Sequence, residues 1–220
     1  MTSQPPIASF TRSDADRLVA LLRRLLRWDS QAYVRIVSRE DAIGIYFEPP
    51  FKVIAYLLVP AIYVVPMVDS TMRAADLIAA IDNDEDITSV PLQSDFEPFG
   101  VGVRPPEEPW QTGDKGIAGD LIPKVQAAIN EFKERMEAVG PKPTRRMTEE
   151  IANEIWDRPG WGGLTLRVLH AAYLLGFLSH PNAHLATGNC LGWKRLQTPG
   201  GTLYARPGDS GPRLPLSIVR

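Results

Sequence analysis

Reactive side chains are scarce in this chain. Its 220 residues include one cysteine, Cys190, so no disulfide can close within it, and that usage fits a reducing compartment, the cytoplasm. There is no glycine-rich phosphate loop, no H-E-x-x-H zinc helix and no G-x-S-x-G nucleophile turn. An excess of one charge is missing too. With 24 Lys and Arg against 26 Asp and Glu, the formal net charge is -2, so binding to nucleic acid or membrane has to rest on a local patch. No apolar run is long enough for a membrane helix, which needs about 20 residues. The longest, Val53 to Val68, is interrupted by Pro60 and Pro66 and rich in Val, Ile and Tyr, and it is expected as buried strand. Met1 to Thr11 lacks a basic segment followed by an apolar core and is not read as a signal peptide.

What is present is ordinary globular material: 44% hydrophobic and 23% charged residues exclude a wholly disordered chain. Ser13 or Asp14 is expected to cap a helix running to Trp28. Its leucines fall on one side and Arg17, Arg23, Arg24 and Arg27 on the other. Ala32 to Ser38 and Ala42 to Phe47 predict a hairpin. Phe51 to Val59 follows Pro49-Pro50 and is so apolar that it is expected as a strand either central in its sheet or covered on both faces. Asp69 or Ser70 is expected to cap a helix to Ile81, and the acidic run Asp82 to Asp86 is read as a solvated turn. A short strand is expected over Gly100 to Val103.

The prolines from Pro105 to Pro109 read as a linker, extending to residue 119. Asp120 then begins an amphipathic helix to Val139. Thr148 is expected to cap a short helix ending near Asp157. A glycine-tryptophan loop, Pro159 to Gly163, precedes an apolar helix from Leu164 to Leu178. Gly192 to Thr198 and Thr202 to Arg206 predict a hairpin around Pro199-Gly200-Gly201. Residues 207–220 read as a flexible tail.

Few residues qualify for chemistry. His180, His184 and Cys190 have metal-ligand side chains, but Pro181 opposes one regular helix through them and no fourth ligand is evident. Cys190 has neither a catalytic signature nor a helix N-terminus to activate it. His170 lies in an apolar helix and reads as a core histidine. No catalytic, cofactor or metal residue is therefore assigned. The order helix, helix, hairpin at the C-terminal end resembles a winged-helix domain, which implies nucleic-acid contacts from Arg167, Lys194, Arg195 and Arg206, joined by the four arginines of the first helix. Trp110 and Trp161, among prolines and glycines, are candidate anchors for a protein partner.

The expected fold is α+β: an N-terminal helix on an antiparallel sheet over residues 1–104, a linker over 105–119, then a helical unit ending in a hairpin over 120–206. The expected function is a cytoplasmic, non-catalytic protein that acts through a protein partner. The alternatives are a nucleic-acid-binding regulator and an enzyme whose residues converge only in the fold.

Overall fold

The computed structural model of the protein describes residues 6–66, 68–81, 87–91, 101–107 and 109–208. The fold is α+β, and the chain forms two compact units, Met1–Arg104 and Pro105–Arg220.

In the first unit, β1 (Pro6–Thr11) leads directly into α1 (Arg12–Leu26). Thr11, the last residue of the strand, is the N-cap: its side chain accepts a hydrogen bond from the Asp14 N–H at 3.3 Å. The helix therefore starts before the expected caps Ser13 and Asp14, because an extended Thr11 satisfies the first-turn donors. Leu18, Leu22 and Leu25 are fully buried, as the leucine periodicity requires. β2 (Tyr33–Ser38) and β3 (Ala42–Phe47) form the expected hairpin. β3 pairs on its other side with β4 (Ile54–Pro60), and β2 pairs with β6 (Asp69–Arg73). The antiparallel order in this unit is β6-β2-β3-β4.

Two expectations change here. The wholly buried strand is β3, enclosed by its two neighbours, while β4 alternates and leaves Leu58 and Pro60 exposed. Asp69 begins a strand rather than a helix, because Ser70, Thr71 and Met72 are buried in register with β2. Helix α2 (Ala74–Ile81) follows and packs against α1. The short β5 (Tyr63–Val64) and β7 (Ile87–Pro91) flank β1. Arg35 ties the end of the unit to this sheet. Its guanidinium holds both Asp69 carboxylate oxygens, at 2.7 and 2.8 Å, and donates to the carbonyls of Val101 and Gly102. The pairing holds the Asp69 carboxyl below the usual aspartate range, chiefly through the Arg35 hydrogen bond. Residues 101–103 are not a strand. The acidic run 82–86 and the tail from 209 lie outside the described residues.

The second unit opens with β8 (Gln111–Ile117), so the stretch expected as a linker contains a strand, held by pairing with β9 (His184–Cys190). α3 (Ala118–Val139) follows, then α4 (Arg145–Trp156) and α5 (Leu166–Leu175). α4 begins a turn earlier than expected. Thr144 is its cap, and Arg145–Glu149 and Arg146–Glu150 pairs brace the first turn. α5 is shorter than expected because Gly176, in the left-handed conformation at φ 79, closes it. β9 then pairs with β10 (Trp193–Thr198), and β10 with β11 (Gly201–Ala205). The hairpin is as expected. The strand before it is the surprise, and it removes the winged-helix order: a strand and a long helix precede α4, and four strands replace a simple wing.

Candidate functional site

The four strands of the second unit present two faces, assigned by their register. Leu185 and Thr187 of β9, Leu196 of β10 and Leu203 of β11 share one face and are buried. α3 packs on β8 and α5 on β11. The loop Pro159–Gly163 also closes over this face. A Cβ at Gly116 would lie 3.0 Å from the Trp161 ring, and one at Gly162 2.5 Å from Thr187. Lysines hold the loop's carbonyls: Lys124 Nζ donates to Gly160 at 2.6 Å, and Lys194 Nζ to Gly163.

Lys115, Ile117, His184, Ala186, Arg195, Gln197 and Tyr204 belong to the opposite face. Part of it is covered by the segment entering β8. The Trp110 ring lies 5.5 Å from Tyr204, and its Nε1–H donates to the Pro106 carbonyl at 3.2 Å. The Arg195 guanidinium stands 4.8 Å from the centre of the Trp110 ring, a cation–π arrangement. Gly188 makes this possible, because a Cβ there would come within 2.9 Å of Arg195 Nε. That Nε is buried without a hydrogen-bond partner among the described residues.

Away from Trp110 the same face is open. A groove of about 660 Å³ runs over the ends of β8, β9 and β10, lined by residues including Lys115, Ile117, His184, Ala186, Gln197 and Pro199. Its volume lies within the ~300–1,000 Å³ usual for ligand sites. Among the described residues β8 is the outermost strand, and no further strand walls the groove on that side.

The candidates from sequence are distributed as follows. Trp110 and Trp161 are half-buried on opposite faces of the same strands, so one partner surface does not contain both. His184 and Cys190 stand at opposite ends of β9, about 20 Å apart at strand rise. Among the described residues no group of His, Cys, Asp or Glu could hold a metal. Arg167 is buried and spent on Asp157 at 2.8 Å and Asn153 at 2.9 Å, and most of α5 is buried with it. That helix cannot enter a groove of DNA. His170 is stacked on Trp156 with ring centres 4.0 Å apart, and burial pulls its pKa down to about 4. In the first unit, Arg17, Arg23 and Arg27 are exposed along α1 and Arg24 is half-buried. No helix among the described residues is long and apolar enough to cross a membrane. The groove was missed because β8 and β9 were not read as strands. The one signal was the alternation of Leu185 and Thr187 just before the hairpin.

Residues 4–96 match a domain of unknown function (DUF8010), and residues 105–210 match a second (DUF8185). No curated protein matches the chain. Among solved structures, the DNA polymerase sliding clamp of Pseudomonas aeruginosa aligns with 94% of this chain at 9% identity and a TM-score of 0.54. The same clamp with a ligand aligns with 90% at 10% identity and a TM-score of 0.51. This chain spans 65% and 63% of those clamp chains. At such identity the likeness is one of fold alone.

Proposed function

We propose that this chain is a non-catalytic cytoplasmic scaffold that engages a protein partner through the open groove of its second unit. The observation that carries the reading is the groove, a largely apolar trough lined by Ile117, Ala186 and Pro199 at the ends of β8, β9 and β10. The fold likeness supports it, since one of the similar clamps is described as a subunit of DNA polymerase III, a protein that works within an assembly. Trp110, at the covered end of the same face, contributes a flank of this surface, and Trp161 does not.

The test is affinity purification of the intact protein after nuclease treatment, comparing wild type with Ala186→Arg, which places a charge in the groove floor. Gln197→Arg, at an exposed strand position, serves as a second variant that is expected to fold. A partner retained near one to one by wild type and lost from both folded variants is the expected outcome. Identical profiles from all three proteins reject the groove as the working surface.

A second reading rests on α1, whose exposed arginines form a basic stripe. It takes second place because Arg17, Arg23 and Arg24 already make interactions within the protein, and because Arg167 and Arg195 are committed inside their own unit.

A further inference from the structure

The groove also defines the chemistry of what fills it, an inference that rests on the scaffold reading above. Its apolar lining includes Ile117, Leu185, Ala186 and Pro199, and Lys115 and His184 are the basic residues that line it. Among the described residues no carboxylate lines it. The nearest along β8, Asp114, stands at the bulge between Thr112 and Lys115. There its backbone N–H donates at 2.8 Å to Thr187 Oγ1, on the helix-covered face. The groove thus pairs an apolar floor with a lysine ammonium, beside an imidazole able to donate a hydrogen bond. It lies beside β8, the edge strand of this sheet among the described residues.

From this we infer that the groove binds an extended segment of a partner protein in which a large apolar side chain stands next to an aspartate or glutamate. The apolar side chain lies over Ile117 and Ala186 and displaces water from them. The carboxylate pairs with Lys115 at the rim, where charge governs choice of partner more than affinity. The chain's own residues 209–220 match this poorly. They offer Leu214, Leu216 and Ile218, but Arg213 and Arg220 accompany them and the only acidic side chain is Asp209. That segment would bring like charge to Lys115.

The experiment is selection of random displayed peptides on the intact protein, with counter-selection on Ala186→Arg. A labelled peptide from the selected pool is then titrated against wild type, Lys115→Glu and a chain truncated after Gly208. The expected result is a selected pattern of one large apolar residue beside an acidic one. Reversing the charge at Lys115, which turns attraction into repulsion, should weaken binding about tenfold. Raising salt from about 50 to about 500 mM should weaken it in wild type. Peptides without an acidic residue, equal enrichment on Ala186→Arg, or indifference to Lys115→Glu would each overturn the inference. So would binding seen only after truncation, which would make residues 209–220 the occupant. A natural partner lost on Ala186→Arg while acidic peptides fail would sink this inference and leave the scaffold reading standing.

Discussion

His170 is a packing side chain, as the apolar helix around it implies. Its ring lies flat against Trp156, and burial, aided by the nearby Arg167 charge, lowers its pKa to about 4. At neutral pH it is an uncharged aromatic surface. The consequence is a pH dependence of stability with a definite sign. The unfolded chain takes up a proton on this imidazole below about pH 6.5, whereas the folded chain resists until about 4. Stability associated with His170 is therefore complete above the unfolded value, declines as pH falls from about 6.5 to about 4, and changes no further below. Urea titrations of wild type and His170→Phe over that range check this. The phenylalanine keeps a ring beside Trp156, so the variant should lose the contribution of one proton to the slope. Parallel pH profiles for the two proteins would show that the imidazole is charged in the fold.

At the scale of elements, the turn between β9 and β10 carries a local conflict. Cys190 pairs with Trp193 across a two-residue loop in which Leu191 has φ 48 and Gly192 φ 80. Such loops favour Asn-Gly, because a residue with a branched side chain is strained at positive φ. Leu191 is 75% exposed, so packing does little to offset that strain. Leu191→Asn should raise unfolding stability by about 1 kcal/mol, read as a higher urea midpoint with an unchanged slope. A lower midpoint would mean that the leucine side chain contributes packing after all. The same hairpin marks the limit of what the sequence discloses. Elements marked by apolar periodicity or by turn residues were legible: α1 by its leucines, β2 and β3 by the Arg39-Glu40-Asp41 turn between two apolar runs, and the β10–β11 turn by Pro199-Gly200-Gly201. β8 (QTGDKGI) and β9 (HLATGNC) were not, because their polar and glycine-rich sequences have low intrinsic strand preference. Pairing and close approach hold them instead. Gly116 admits the Trp161 ring, Gly188 admits Arg195, and Thr187 bonds the backbone of Asp114. The groove is built on those two strands, so it was hidden with them. The two tryptophans, visible as residues, gave no hint that they lie on opposite faces.

At the scale of the whole molecule, the fold leaves the function open. At 9–10% identity the likeness to DNA polymerase clamps is of fold alone, and one fold serves many functions. Electrostatics has to decide. The net charge of -2 and pI near 6.0 give no general attraction for a polyanion, which leaves the α1 stripe to supply any. Each phosphate neutralised contributes about 0.9 to the slope of log affinity against log salt, so Arg17, Arg23 and Arg27 together sustain a slope of about 3. Contacts that few give weak, sequence-independent binding that salt removes. Titrating labelled duplex DNA with the intact protein should therefore detect association near 20 mM salt and none near 150 mM. Reversing the three arginines to glutamate should abolish the low-salt signal while leaving the groove-dependent partner in place. Binding that persists at about 150 mM with a slope well above 3 would require basic contacts beyond α1, and would place nucleic-acid binding ahead of the groove as the working role.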